Sequence, residues 1–466
     1  MTTLAISAIV SLVEDTKPEV RGCRLEKRVV KQELIDEAVS LMNYVSKSYN
    51  GSDTSITRSI RTPGFDATYH YVAQELNKLS EFYDVFTQLF MVPKWQANSH
   101  LITINNMDFL NSTVIEGSPG GETHGNVNVA LNYGCFPKDY FLFGKIFIVK
   151  KGQCSYLDKI QAASEASVSG LLIYDDSSDT NPHIQLKGRF GTQVHVTIPA
   201  FGISANDARN LIEKSKKKKN PYIRTQLNST TSYLKFGNII ATSKSGNQSN
   251  IVMAGATMDS SNGSKGVNDN GSGVISLLNI AKYLTSFELH NAVKLSWWGG
   301  GNHRAFGSVN YEWAGGNDID KVQVYLDLNT LASPNYGYLI PNYSPLTKDF
   351  SKYFSAKGIP YKEVDFGFDS KIFINDLWVF SDLGIPSGSA NAGKLHLKDG
   401  DAVQKFGGVV NTPYDLCNGL SCDDISNLNL DVWFNMTKAY AYLIGAYSNS
   451  IENVPKIPIK SGKILN

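Results

Sequence analysis

The spacing of apolar residues predicts alternating strands and helices in the second half of the chain. Ile251–Ala256, Val293–Trp298 and Val322–Asp327 are apolar runs of strand length, and Val274–Leu284 is an apolar run of helix length. A further helix is predicted over Leu430–Tyr447. Such alternation predicts an α/β fold with a mixed, mostly parallel sheet between two layers of helices.

The first half of the chain has a different pattern. Residues 29–47 and 67–79 show helical apolar spacing, whereas residues 113–224 contain short β-rich runs separated by Gly, Asp and Ser turns. A chain of 466 residues is also longer than one hydrophobic core usually supports. We therefore predict a β-rich domain inserted into a larger one. The predicted parts are a signal segment at 1–17, the larger domain at 18–112 and 231–450, the insert at 113–230, and a tail at 451–466.

Polar residues follow each predicted strand of the second half. Thr257-Met-Asp259 follows the first strand, Gly299-Gly-Gly-Asn302 follows the second, and Asp327 ends the third. The loop Val267–Gly273 opens the apolar helix. Because sites in open α/β sheets form beyond the carboxyl ends of the strands, these four loops are expected to meet at one crevice.

Composition and charge exclude several classes of partner. The residues are 42% hydrophobic and 19% charged with a formal net charge of +1, which favours a folded protein and disfavours nucleic acid as a partner. We expect no membrane span, because no window holds the roughly 20 apolar residues that one requires. Leu4–Val13 has the length of a signal-peptide core, although no basic residue precedes it; an irregular N-terminal tail is the alternative.

Cysteines and sequons favour the secretory pathway, with a secreted or vacuolar destination. Two local cysteine pairs and one remaining cysteine suggest disulfides, and none forms a C-x-x-C motif. Eight Asn-x-Ser/Thr sequons permit glycosylation, of which several are expected by chance in so Asn-rich a chain. The candidate glycosylation sites are Asn50, Asn111, Asn228, Asn247, Asn342 and Asn435.

Several motifs resemble those of the di-zinc aminopeptidase family. Their order along the chain is the family's: Thr62-Pro-Gly-Phe-Asp-Ala-Thr68 resembles "TPGYNAS", Gly255–Ser260 "GAHxDS", Asn268–Gly273 "NDNGSG", Trp298–Asn302 "WGAEE" and Pro413–Asp423 "PYDPCYHQACD". The insert, with Asn132–Cys135 and Gly144–Cys154, resembles a protease-associated domain. The resemblance implies a zinc-exopeptidase-like fold and two disulfides, Cys135–Cys154 and Cys417–Cys422.

The resemblance also assigns the family's site positions to residues of this chain. The family binds two zinc ions and uses a glutamate as general base. Here the first histidine ligand corresponds to Thr257, the bridging aspartate to Asp269, the base to Gly301, the neighbouring glutamate ligand to Asn302, the second aspartate ligand to Asp327, the last histidine ligand to Gly419, and the aspartate that orients the first histidine to Asp259.

Only two metal ligands, Asp269 and Asp327, thus remain, and no residue corresponds to the base. Two carboxylates without an imidazole are too few ligands for two zinc ions, so no bound cofactor and no catalytic residue are expected. The implied function is that of a catalytically inactive homologue whose crevice binds a peptide or protein. In such a crevice Asn302 is expected to hydrogen-bond one of the two aspartates.

Three alternatives remain at this stage. The chain could be a working zinc aminopeptidase with rearranged ligands, among them His303. Function could instead lie in the insert, as an interaction module. Finally, Asp269 and Asp327 could have purely structural roles, with Asp269 capping the apolar helix and Asp327 ending a strand.

Overall fold

The computed structural model describes residues 22, 24–49, 56–141, 145–176, 182–187, 197–217, 221–302, 305–313, 318–365 and 375–455. Its helices are α1 (Lys31–Lys47), α2 (Pro63–Asn77), α3 (Tyr156–Glu165), α4 (Ala205–Lys216), α5 (Ser272–Leu284), α6 (Phe306–Trp313), α7 (Thr347–Ala356), α8 (Asp376–Asp382), α9 (Gly400–Phe406) and α10 (Leu430–Asn449). Its strands are β1 (Tyr83–Ile104), β2 (Asp108–Phe109), β3 (Thr113–Val114), β4 (Gly121–Val129), β5 (Ile146–Lys150), β6 (Gly170–Tyr174), β7 (Ala200–Gly202), β8 (Tyr222–Ser243), β9 (Asn247–Thr257), β10 (Asn291–Trp298), β11 (Val322–Asp327), β12 (Leu339–Pro341), β13 (Lys362–Val364) and β14 (Ser387–Ser389).

The chain divides into two compact units, one formed by residues 1–90 and 236–466 and the other by residues 91–235. The predicted insert, residues 113–230, falls within the second unit. None of the helices that the structure describes combines the length and the apolar character needed to cross a bilayer.

The first unit contains the predicted mixed, mostly parallel sheet. Its strand order is β14-β11-β9-β10-β8; the first three pairings are parallel, and β10 pairs antiparallel with β8. Helices α5 and α10 pack on β9 and β10, while α6 packs on β10 and α8 on β11. The predicted fold class is thereby confirmed.

Adjacent tryptophans at the end of β10 show that both faces of this sheet are covered. Successive strand residues point to opposite faces, yet Trp297 and Trp298 are both completely buried. Trp297 Nε1 donates to the carbonyl of Val274 in α5, and Trp298 Nε1 donates to the hydroxyl of Tyr325 in β11. Each indole therefore buries its apolar surface and also satisfies its one donor, which fixes the end of β10 beside the site.

The predicted helix near residue 67 begins earlier, at Pro63. The side chain of Thr62 accepts a hydrogen bond from the Phe65 amide at 3.3 Å, and Pro63 occupies the first helical position. Proline is favoured there because the first amide of a helix has no partner within the helix. This cap accounts for the TPG turn of the motif.

The second unit is a β-rich domain, and its described residues include the α-helices α3 and α4. Strands β4, β5, β6 and β7 are successively parallel, β3 is antiparallel to β7, and β8 is antiparallel to β4. The buried residues of β5 and β6 form two apolar clusters with α3 and α4. The predicted pair Cys135–Cys154 is a disulfide in this unit, and Cys417–Cys422 is a disulfide in the first, so both predictions are confirmed.

Candidate functional site

The site lies at the carboxyl ends of three neighbouring parallel strands. Trp298 of β10 pairs with Thr257 of β9, and Asp327 of β11 pairs with Gly255, so the three strands end at the same edge. The loop after β10 reaches back to the loop after β9, where Asp259 accepts the amide of Gly301. The predicted convergence of these loops is confirmed.

Asp269 forms the most extensive set of side-chain contacts at the site. Its Oδ1 accepts from the ammonium of Lys394 at 2.9 Å and from the hydroxyl of Thr330 at 3.1 Å, and its Oδ2 accepts from the side-chain amide of Asn418 at 2.8 Å. Burial alone would raise the pKa of Asp269, but the charge of Lys394 and these hydrogen bonds lower it below its usual value. Asp269 is thus an ionised carboxylate with a cation from its own chain.

Asp327 lies beside a carboxylate that the sequence analysis did not predict, Asp376 at the start of α8. Asp376 Oδ2 accepts from the hydroxyl of Thr257 at 2.7 Å, and its Oδ1 accepts from Ser308 at 2.6 Å. By contrast, Asp327 Oδ1 is buried and has no hydrogen-bond partner among the described residues. Burial, together with the charge of Asp376, raises the pKa of Asp327 well above its ordinary value, which favours the protonated form.

Asp259 anchors the loop that corresponds to the family's base and glutamate ligand. Its two carboxylate oxygens accept the amides of Gly301 at 2.8 Å and Asn302 at 3.2 Å. The side-chain amide of Asn302 donates to the carbonyl of Asp259. The prediction that it would donate to Asp269 or Asp327 was therefore wrong. Complete burial raises the pKa of Asp259 to about 6, although the backbone hydrogen bonds act in the opposite direction.

Gly301, which is predicted to correspond to the family's general base, has no room for a side chain. A Cβ placed on Gly301 would lie 2.1 Å from the hydroxyl oxygen of Thr257 and 2.4 Å from its methyl carbon. Thr257 itself is held in place by its hydrogen bond to Asp376. The two substitutions are therefore coupled: the side chain at the first-histidine position occupies the space that a glutamate at position 301 would need to enter.

Gly419, which is predicted to correspond to the last histidine ligand, lies in the small disulfide loop with φ +75°. This left-handed conformation strains most residues that carry a Cβ. The preceding residue, Asn418, provides the contact with Asp269 instead. The small disulfide loop thus contributes a neutral amide to the site.

The Asn268-Asp269-Asn270 motif is fixed by its neighbours. Asp423 accepts the amides of Asn268 at 2.7 Å and Asp269 at 3.0 Å. The side chain of Asn270 donates to the carbonyls of Thr257 and Leu328. Asp269 does not cap the apolar helix, because α5 begins at Ser272 with Gly271 in the N-cap position.

A buried arginine outside the predicted set, Arg58, supports the same loops. Its guanidinium donates to the carbonyls of Met258, Lys265 and Gly266. Burial lowers its pKa to about 10, while Asp423, Asp259 and Asp269 act in the opposite direction. Arg58 thus places a positive charge beneath the aspartates of the site.

The remaining candidate positions are distributed as follows. His303 and Asn50 lie outside the described residues. Asn435 is half-buried within α10 and donates to the hydroxyl of Tyr338 at 2.9 Å. The exposed sequon asparagines are Asn111, Asn228, Asn247, Asn262 and Asn342.

Comparison with known proteins gives a consistent set of relatives. The profile of Peptidase family M28 matches residues 238–444, and that of the PA domain matches residues 124–211. Leucine aminopeptidase 2 of Trichophyton rubrum is 28% identical over 94% of this chain and 90% of its own length. Aminopeptidase Y of Saccharomyces cerevisiae is 29% identical over 94% of this chain and 82% of its own length.

Solved structures share the fold. An aminopeptidase from Aneurinibacillus sp. strain AM-1 aligns with a TM-score of 0.66 at 18% identity, covering 94% of this chain and 98% of its own. BSAP, a zinc aminopeptidase from Bacillus subtilis, aligns with a TM-score of 0.56 at 18% identity, covering 92% of this chain and 98% of its own. The chain is therefore a homologue of the family M28 aminopeptidases that carries a PA domain.

Proposed function

We propose that this chain is a catalytically inactive homologue of the zinc aminopeptidases that binds a peptide or protein at the former active-site crevice. The observation that carries the proposal is the contact between Lys394 and Asp269 at 2.9 Å. An ammonium of the chain itself neutralises the carboxylate that corresponds to the family's bridging ligand.

The residues present at the site do not fit a pair of zinc ions. Both oxygens of Asp269 already accept hydrogen bonds from protein groups, and a bridging ligand needs both oxygens for metal. Among the described residues, no group of three or more His, Cys, Asp and Glu side chains could hold a metal ion. We derive no catalytic step through zinc at this site.

The absence of a base supports the same proposal. Metal-assisted peptide hydrolysis needs a carboxylate positioned to take a proton from water, a contribution of about 10²–10⁴ in rate. Gly301 corresponds to that carboxylate, and Thr257 fills the space in front of it. Two of the buried carboxylates nearby bind protein groups, since Asp259 binds two amides and Asp376 two hydroxyls. The raised pKa of the third, Asp327, favours its protonated form, which cannot take a proton from water.

The binding role rests on exposed apolar side chains beside Lys394 and Asn418. The segment 394–398 pairs with residues 411–415, through hydrogen bonds such as Lys398 N to Thr412 O and Asp415 N to Lys394 O. Four leucines that lie in the first segment or shortly after the second are more than half exposed. We call them the rim leucines: Leu395, Leu397, Leu416 and Leu420. Apolar groups exposed together are typical of a surface that contacts a peptide or protein.

Metal content and peptidase activity test the loss of catalysis. The full chain, purified from medium that contains zinc, is analysed for bound metal and assayed with leucine-p-nitroanilide. The proposal predicts no stoichiometric zinc and no hydrolysis that a chelator abolishes. Two zinc ions per chain with chelator-sensitive hydrolysis would establish the alternative, a working aminopeptidase with rearranged ligands.

Peptide binding is tested separately with the rim leucines. We expect a labelled peptide that carries two leucines to show saturable fluorescence anisotropy with the full chain, and the double variant Leu395→Ser, Leu397→Ser to weaken it at least tenfold. Met107→Ser is the matched control, because Met107 is 77% exposed in the second unit. Equal binding by the double variant and the control variant would rule out the rim leucines as the binding surface.

A further inference from the structure

We propose that the Cys135–Cys154 disulfide is a site of thiol–disulfide exchange, in which the ammonium of Lys159 stabilises the thiolate released from Cys154. This disulfide lies in the second unit and joins the loop after β4 to the loop before α3. The proposal concerns a site outside the crevice and does not depend on whether the chain cleaves peptides.

The Lys159 ammonium lies directly beside the disulfide. Lys159 is completely buried, and its Nζ is 3.4 Å from Cys154 Sγ and 3.8 Å from Cys135 Sγ. The same Nζ donates to the carbonyls of Tyr133, at 2.5 Å, and Gly152, at 2.9 Å. One cation therefore bridges both loops that the disulfide joins.

Among the described residues, no carboxylate lies within ion-pair distance of the Lys159 ammonium. The nearest acidic residues are engaged elsewhere: Asp139 accepts from Asn132 and from the amide of Phe136, and Asp158 accepts from the amide and hydroxyl of Ser155. Burial lowers the pKa of Lys159 to about 8. A buried cation that faces two sulfurs and two carbonyls would gain a strong partner if one sulfur became a thiolate.

The disulfide lies close to the surface of the second unit. Both cysteines are half-buried, and Phe136, Gly152 and Gln153 next to them are exposed. Because Cys154 Sγ is the sulfur closer to Lys159, it is the better leaving group, and attack is expected at Cys135.

The exchange balances with an external dithiol as reductant. A thiolate of the dithiol attacks Cys135 Sγ, the S–S bond breaks, and Cys154 leaves as a thiolate beside Lys159. The second thiol of the reductant then loses its proton and attacks the mixed disulfide, which releases Cys135 as a thiolate that takes up a proton. The reductant becomes a cyclic disulfide, and the two electrons reside on the two cysteines.

The second disulfide of the chain provides an internal comparison. The amide of Cys417 donates to the carboxylate of Asp415 at 2.9 Å, so a carboxylate contacts the backbone of the Cys417–Cys422 loop. An anion disfavours a neighbouring thiolate, whereas a cation favours it. Cys135–Cys154 should therefore be the more easily reduced of the two.

The test equilibrates the full chain at pH 7, where the Lys159 ammonium is charged, with graded ratios of reduced to oxidised dithiothreitol. Free thiols are then trapped with iodoacetamide, and each cysteine is counted by peptide mass spectrometry. We expect Cys135–Cys154 to be reduced at a lower ratio than Cys417–Cys422. Lys159→Met should raise the ratio needed for half-reduction of Cys135–Cys154 by about tenfold, the effect of one charge-assisted hydrogen bond. The control is Lys151→Met, which removes a nearby exposed lysine that pairs with Asp175 and should change nothing. An unchanged midpoint in Lys159→Met would overturn the proposal.

If Lys159→Met fails to fold, a second measurement on the wild-type chain tests whether Lys159 stabilises the Cys154 thiolate. After reduction, the rate of alkylation of each cysteine is followed against pH. The pH at which Cys154 reaches half its maximal alkylation rate is expected to lie below about 8.5, the usual pKa of a free thiol. It should also lie below the corresponding pH values of Cys417 and Cys422. A Cys154 midpoint at or above those two would contradict the role assigned to Lys159.

Discussion

At the scale of single residues, the contact between Lys394 and Asp269 has a measurable energetic consequence. The side chain of Asp269 is 6% exposed and that of Lys394 is 37% exposed, so the pair is only partly screened by solvent. Removal of the ammonium leaves the buried carboxylate of Asp269 without its ion-pair partner. Lys394→Met should therefore lower the free energy of unfolding by about 1–3 kcal/mol, less than for a fully buried pair.

Urea unfolding at pH 7 measures this loss. Lys352→Met is the matched control, since Lys352 is 79% exposed and lies 3.8 Å from Asp349; its removal should cost at most about 0.5 kcal/mol. The double variant Lys394→Met, Asp269→Asn should recover part of the loss, because the unpaired charge is then removed. A Lys394→Met variant as stable as its control would show that the ion pair contributes nothing to stability.

The buried carboxyl of Asp259 predicts a specific pH dependence. Its pKa in the folded chain is about 6, against about 3.9 for an unfolded aspartate. Between these values the folded chain binds more protons than the unfolded chain, so the stability contributed by Asp259 falls as the pH rises. Relative to Asp259→Asn, the wild type should lose up to about 3 kcal/mol of unfolding free energy between about pH 4 and pH 6.

Unfolding midpoints across this pH range, with Asp108→Asn as the exposed control, test the dependence. The raised pKa would be contradicted if the unfolding free energy of the wild type, relative to that of Asp259→Asn, stayed constant or rose as the pH increased. The backbone hydrogen bonds that the Asp259→Asn variant loses shift the curve by a constant amount and leave its slope unchanged.

At the scale of strands and loops, the substitutions at Thr257 and Gly301 should behave as a coupled pair. Gly301→Ala introduces a Cβ within 2.1 Å of the Thr257 hydroxyl and should destabilise the chain by about 1–3 kcal/mol. In a Thr257→Gly background the same change should cost much less, because the clashing atoms are absent. A double-mutant cycle by urea unfolding measures the coupling, and strictly additive effects would contradict it.

Strand and loop patterns explain which parts of the site could be predicted from the sequence. The central strands β9, β10 and β11 are buried on both faces, so they appear as continuous apolar runs, and the residues that follow them could be placed together at one edge. Lys394 follows β14, whose Ser-Gly-Ser sequence carries no apolar signal, and it contacts Asp269 across 125 positions of sequence. Asp376 likewise begins a helix of only seven residues.

The two longest strands were not predicted for a related reason. Each of β1 and β8 has 22 residues, and β8 alternates buried Ile223, Thr225 and Leu227 with exposed polar or aromatic neighbours. A strand with one exposed face carries a weaker apolar signal than a buried one, especially where Thr occupies a buried position. The sequence therefore indicated a domain edge where the structure has a long strand.

At the scale of the whole molecule, we propose that the chain passes through the secretory pathway. Two disulfides and five exposed sequon asparagines among the described residues support this proposal. Expression in a yeast secretory host should give a product whose mobility shifts after endoglycosidase treatment, with Asn435 unmodified because its amide is engaged with Tyr338. A product without glycans in such a host would count against this assignment.

We propose that an internal lysine, Lys394, occupies the place that metal takes in the zinc aminopeptidases. The most direct test is the zinc content of the wild type and of Asp269→Ala. Each full chain is equilibrated with excess zinc and desalted, and the bound metal is measured by elemental mass spectrometry. We predict less than about one tenth of a zinc ion per chain in both proteins, against the two that the family binds. The variant should differ from the wild type only in stability. Two zinc ions bound to the wild type and lost in Asp269→Ala would contradict the account.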